Sequence, residues 1–377
     1  MIIFDILIFL IILSIVVLVH ELGHFWGAKL TGVKVEEFGI GFPPKIWKKK
    51  IGETEYSIGA LPFGGYNKIY GMDEIDDEKD KDPRGYERKG FWVKALICLG
   101  GVIMNLIFAV FLFYFLVIGS GFKMSQTMII TDYKFPFGTQ IDRPLVLDVS
   151  ENSPAQMAGL KFKDVIVSIN GDNINSLGQF INILDSNLGK NISLDFIDAE
   201  TEEIKTVNVT LRSEITEDQG ALGISYGDMS YIEYSSLGDK LLCGFYHTYN
   251  FVDYSIRAMG TLIGNSVEEK SIEPLANSMS GPIGIFAITK IVAQEGIIPL
   301  INLIALLSIA IGVTNLLPIP AMDGAKTIFL GLELINKKIF TKELQMKVEQ
   351  IGMVFLIILA LVMVFKDFFQ FKDIIFK

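Results

Sequence analysis

Two histidines and a glutamate stand together in an otherwise apolar run, Val16-Val-Leu-Val-His20-Glu21-Leu-Gly-His24-Phe-Trp. Histidines four residues apart on a helix project from one face, where their imidazoles can hold one metal ion. A carboxylate beside them, here Glu21, can take a proton from a water that the metal acidifies. The H-E-x-x-H spacing is the signature of zinc-dependent peptide hydrolysis. The chain has only three histidines, and this segment uses two of them. The plainer reading, polar residues near a helix end, is weak because ionisable groups in apolar spans are costly and are usually functional or paired.

The elements around this run are apolar in blocks. The chain has 377 residues, half of them hydrophobic, with a mean hydropathy of +0.43. Four blocks are long enough to cross a bilayer, at 2–29, 95–118, 297–317 and 350–366. The first lacks a basic start and a small-residue cleavage site, so it is expected to be retained as a span rather than removed as a leader. A net charge of −10 argues against a nucleic-acid partner. The acid is concentrated between Thr127 and Tyr231, which hold 16 acidic against 7 basic residues. Cys98 and Cys243 fall on opposite sides of the expected topology and predict no disulfide.

Residues 31–94 form the densest basic stretch close to a span, which predicts a cytoplasmic connection. The N-terminus is then extracytoplasmic, and His20 and His24 lie in the cytoplasmic half of the first span. Within this connection, 33–42 and 54–66 read as glycine-broken strands beside the membrane, and 73–89 as a charged loop. In the second span, Gly100-Gly-Val-Ile-Met-Asn105 suits close helix packing, and Asn105 reads first as a packing residue and second as part of the site. Residues 125–228 read as an extracytoplasmic α+β domain, with strands at 145–150, 164–169, 192–198 and 204–211 and helices at 152–160 and 177–188. A helix at 236–264 carries one apolar face and is expected on the outer membrane surface or across the spans. His247 then reads as a surface or interfacial residue, on the wrong side to join the metal.

A catalytic zinc takes three protein ligands and keeps one position open. With His247 removed by topology, the third ligand is a carboxylate or Cys98. Asp5 lies at the outer end of the first helix, about 22 Å from His20 at 1.5 Å per residue, and Glu333 is more distant. Asp323 follows the third span and arrives in the cytoplasmic half, at the depth of His20 and His24. Its neighbours Pro318 and Pro320 break the helix, which is tolerable only at a lined cavity.

With these residues together, the chain resembles the bacterial site-2 protease family, the RseP-type intramembrane zinc metalloproteases. The resemblance covers nearly the whole length. It rests on His20-Glu-Leu-Gly-His24, on Asn315 to Gly324, and on 125–228, which resembles a single PDZ domain. Gly39-Ile-Gly-Phe and Gly64-Gly-Tyr resemble the family's membrane-associated β-segment. It implies Zn2+ on His20, His24 and Asp323, Glu21 as general base, and substrate contacts from Asn315, Pro318 and Pro320. The chain has Met322 where the family usually has Leu, and Gly100-Gly101 where it often has Gly-Pro. The expected fold is a polytopic α-helical membrane protein with four transmembrane helices, a membrane-associated β-segment and an inserted α+β PDZ-like domain. Its implied partners are the lipid bilayer of the bacterial cytoplasmic membrane, single-span membrane-protein substrates, and a peptide on the PDZ-like domain. The alternative, a non-catalytic membrane scaffold presenting a PDZ domain, leaves Glu21 and Asp323 without a role.

Overall fold

The computed structural model describes residues 2–74, 82–128, 130, 133–215 and 220–376. It divides into two compact units, one built from 1–116 with 247–377 and the other from 117–246.

The chain opens with α1 (Ile2–Leu30), which carries the histidine motif in its last third. Two strands follow, β1 (Val35–Ile51) and β2 (Thr54–Ile69), paired antiparallel through several bulges. The expected charged loop at 73–89 falls partly outside the described residues. Its described end instead turns into a short 3-10 helix at Tyr86–Arg88, with Tyr86 buried. Then comes α2 (Phe91–Gly119). Helices α1 and α2 meet backbone to backbone: a Cβ on Gly23 would stand 2.0 Å from the Gly100 carbonyl oxygen. A core of Phe25, Val35, Phe38, Ile69, Tyr86 and Ile97 ties the strands to both helices.

The second unit is a mainly antiparallel sheet with two helices. Its strands are β3 (Lys123–Met128), β4 (Thr139–Val149), β5 (Val165–Ile169), β6 (Asp172–Asn173), β7 (Asn191–Ile197), β8 (Ile204–Thr210) and β9 (Ile224–Glu233). Among the described residues they order as β3-β9-β4-β5-β7-β8, with β6 on β5. Helix α3 (Pro154–Met157) follows β4, and α4 (Leu177–Ser186) follows β6. Each helix is capped by a serine, Ser153 accepting from the Gln156 amide and Ser176 from that of Gln179. Val146, Ile166, Phe180, Ile192, Leu194 and Phe196 form the core. Strand β4 starts six residues before the expected 145, because β9 runs on to Glu233 and pairs with its first half.

The expected helix at 236–264 divides into α5 (Leu237–Leu241) and α6 (Cys243–Glu268). The apolar face predicted from its spacing is exposed, at Leu241, Phe245, Tyr249, Ile256 and Ile263. The opposite face is buried, and it carries His247, which is 1% exposed rather than interfacial. The ring sits 4.5 Å from that of Phe113 and 5.0 Å from that of Phe251, centroid to centroid. Burial pushes its imidazole down to about 3, so it packs as a neutral aromatic.

Four further helices complete the first unit after α7 (Glu273–Ser278): α8 (Pro282–Glu295), α9 (Ile297–Asn315), α10 (Asp323–Ile335) and α11 (Lys342–Phe376). Helix α8 packs against α1, α9 and α11. Its first turn is tied to α11, where Asp367 accepts from the Gly281 and Gly284 amides at 2.8 Å. Among the described residues, α1, α2, α9 and α11 are long and apolar enough to cross a membrane.

Candidate metal centre

Three elements build the centre. Helix α1 supplies His20, Glu21 and His24, α10 supplies Asp323 at its first turn, and α2 lies behind the imidazoles. His20 and His24 are one turn apart, with their Nε2 atoms 3.2 Å from each other. Asp323 Oδ2 lies 3.0 Å from His20 Nε2 and 3.3 Å from His24 Nε2. Both histidines are at least nine-tenths buried.

The first turn of a helix favours a carboxylate, because unpaired amides and the helix dipole both point there. One turn further along α10, Lys326 reaches Asp73 at 3.3 Å and Glu349 at 3.9 Å. Burial alone would pull its ammonium down, but these carboxylates hold it above its usual value. The lysine thereby pins α10 between the segment that follows β2 and the first turns of α11, and Leu330 of α10 joins the core of the first unit.

The donor set fits a zinc ion. Two imidazole nitrogens and a carboxylate oxygen are the ligands of a catalytic site with one open position. Asp323 Oδ2 is buried and makes no well-aligned hydrogen bond, although two ring nitrogens lie close to it. Asp323 Oδ2 therefore converges on two ring nitrogens that do not satisfy it, which is how a common cation would gather the three atoms. Gly101 keeps the space open: a Cβ there would stand 2.5 Å from His20 Cε1 and 2.6 Å from the Nε2 atoms of both histidines.

The surrounding hydrogen bonds set the roles of the side chains. His24 Nδ1 donates to the Ile97 carbonyl of α2 at 2.8 Å, which leaves Nε2 with its lone pair for a metal. Asn67 of β2 donates to Glu21 twice, to its carbonyl oxygen and at 2.8 Å to its carboxylate Oε2. Strand β2 thus lies directly over Glu21, and a Cβ on Gly65 would come within 3.5 Å of Glu21 Cγ.

His20, His24 and Asp323 are therefore brought together, and Glu21 lies beside them. Cys98, the open alternative for the third position, instead pairs its buried Sγ with the Tyr86 hydroxyl at 3.1 Å. Glu333 pairs with Lys337. Asn315 is half-buried at the end of α9. Pro318 and Pro320 line a cavity of about 160 Å³ with Ala325, Phe329 and Val348, whose lining includes none of His20, Glu21, His24 and Asp323. Pro320 also packs against Gly352 of α11. Asn67 escaped the reading of the sequence, since an isolated asparagine in a strand carries no signal. Asn105, read there first as a packing residue, lies 3.3 Å from His20 through its carboxamide nitrogen.

Several known proteins are similar to this chain. The profile described as Peptidase family M50 matches residues 8–359. A chain from Clostridium acetobutylicum named as a zinc metalloprotease is 33% identical, with 97% of each chain covered. The regulator of sigma-W protease RasP of Bacillus subtilis is 26% identical over 95% of this chain and 97% of its own. Among solved structures, the PDZ domain of an SdrC-like protein from Listeria monocytogenes matches 25% of this chain and 93% of its own, at 21% identity and a TM-score of 0.20.

Proposed function

This chain belongs to peptidase family M50 and is a metalloprotease, and we propose that it is a zinc-dependent intramembrane endopeptidase cutting single-span membrane proteins in or next to their transmembrane segment. The observation that carries this reading is the convergence of His20, His24 and Asp323 from two helices, with Glu21 alongside.

His20, His24 and Asp323 would hold the zinc. Bound there, the ion supplies Lewis acidity toward a peptide carbonyl and acidifies a water. Glu21 Oε2 is engaged by Asn67, which leaves Oε1 to take the proton of the attacking water and pass it to the departing amide nitrogen. A substrate helix hides its carbonyls in i→i−4 bonds, so it must unwind before it is cut. An extended segment laid along the β1–β2 sheet would reach Glu21, because β2 already covers that residue. Asn315 would bind the substrate from the end of α9, and Pro318 and Pro320 would shape the loop that follows.

The basic connection at 31–94 supports a cytoplasmic placement of the active site in a bacterial cytoplasmic membrane. The N-terminus and the unit at 117–246 are then extracytoplasmic. That unit acts as a PDZ-like filter, excluding substrates whose outer domains remain bulky, and its sheet offers strand addition to a peptide.

Glu21→Gln tests the assignment. The purified variant is expected to bind one zinc per chain and to leave a single-span reporter uncut in liposomes. Cleavage at the wild-type rate would remove Glu21 from the role of base. Wild-type protein without stoichiometric zinc would overturn the metal reading as a whole.

A further inference from the structure

Asn105 sits in the middle of α2, fully buried, with its carboxamide nitrogen 3.3 Å from His20 Nδ1. Its other end, Oδ1, is buried and has no hydrogen-bond partner. The backbone is held separately: the Asn105 carbonyl accepts from Ser308 of α9 at 2.9 Å, and a Cβ on Gly312 of α9 would lie 3.7 Å from the Asn105 Cβ. The side chain is thus aimed at one imidazole while the main chain is fixed by a neighbouring helix.

The contact decides which nitrogen of His20 carries the proton. If the amide nitrogen donates to Nδ1, the ring proton sits on Nε2, and Nε2 has no lone pair for a metal. A half-turn of the carboxamide presents Oδ1 instead. Nδ1–H then donates to Oδ1 and Nε2 is free to ligate. Nothing else grips Oδ1, so the half-turn breaks no bond except the one it replaces. His24 already follows this pattern through the Ile97 carbonyl, and metal-bound histidines generally donate their second ring N–H to an oxygen. The two carbonyl groups that face the Nδ1 atoms would then both come from α2.

We infer that Asn105 is a positioning residue for the zinc ligand His20, presenting Oδ1 to Nδ1–H and so fixing the tautomer and ring orientation in which Nε2 binds the metal. The inference rests on the zinc reading of the site. It is separate from substrate binding and from the part played by Glu21. It also predicts how substitutions rank. Asn105→Asp keeps an oxygen in place and should hold His20 as well or better, whereas Asn105→Leu keeps the branched outline, is somewhat larger, and loses the acceptor.

The test measures zinc affinity by chelator competition on the purified full chain, alongside the visible absorption of the cobalt-substituted protein. Asn105→Leu is expected to lower affinity about 10- to 100-fold and to perturb the cobalt spectrum, a range seen when such supporting partners are lost. Asn105→Asp is expected to stay within a few-fold of wild type, with the tetrahedral cobalt bands retained. Thermal unfolding of the zinc-free proteins reports whether Asn105→Leu still packs, and Asn105→Asp decides the matter if it does not. Wild-type affinity in Asn105→Leu, or a loss in Asn105→Asp as large as in a misfolded variant, would overturn the inference. Absence of zinc from the wild type would instead overturn the metal reading beneath it.

Discussion

Glu21 is held by one neighbour at two points. Asn67 donates to its main-chain oxygen and to carboxylate Oε2, so a single amide fixes both the helix backbone and the rotamer at the position of the base. Asn67→Ala removes both donors and lets the carboxylate swing away. Its kcat is expected to fall about 10- to 100-fold, the loss typical of supporting contacts around a metal site. Zinc stoichiometry and KM should hold, because neither ligand nor substrate contact is lost. Parallel zinc analysis and steady-state cleavage of a reporter check this, and an unchanged kcat would show that Glu21 needs no such hold. At this scale the sequence reveals the histidines by their spacing and Asp323 by its depth along the spans. Asn67 and Asn105 meet their partners 46 and 85 residues away, and no local pattern announces such pairings.

Helices α1 and α2 cross at a point too close to admit a side chain. The contact is made by Gly23 on one side and Gly100 on the other. This closeness puts the Ile97 carbonyl, Gly101 and Asn105 around the imidazoles. Gly23→Ala places a methyl group 2.0 Å from the Gly100 oxygen, so one helix must move. Overpacking of this kind typically costs about 1–3 kcal/mol. The variant is expected to unfold at lower temperature and to bind zinc more weakly. Gly119→Ala, with nothing within 4 Å, is the control and should change neither. Equal melting of the two variants would show that the crossing tolerates a wider separation. The long apolar helices are legible in the sequence because their hydropathy alone defines them. Helices α8 and α10 are not, because each is short and of mixed composition. Asp367 of α11 completes the first turn of α8, and Lys326 ties α10 to Asp73 after β2 and to Glu349 of α11. Helix α11 also extends beyond the 350–366 expected for the last span. Its first turns are polar, and α11 starts at Lys342, where Thr341 accepts from the Gln345 amide through its carbonyl.

The chain enters and leaves the inserted unit side by side. Lys123 pairs with Glu233 across β3 and β9, and the Tyr234 amide donates to the Phe122 carbonyl at 3.0 Å. The unit has its own core, and its sequence boundary was legible from the acidic surplus and the alternating strands. Its last strand runs past the expected end at 228 to Glu233, because β9 takes its register from β4 rather than from any turn signal nearby. Removal of 123–233 with a short glycine-serine bridge from Phe122 to Tyr234 therefore cuts no strand pair in half. If the unit filters by size, the shortened protease should bind zinc and cut a trimmed single-span reporter at the wild-type rate. It should also cut a reporter that still carries a folded outer domain, which the full chain leaves intact. Reconstitution of both proteases with both reporters reads all four rates at once. Continued refusal of the bulky reporter, with the trimmed one still cut, would place selection elsewhere, in the membrane part of the chain or in the peptide itself.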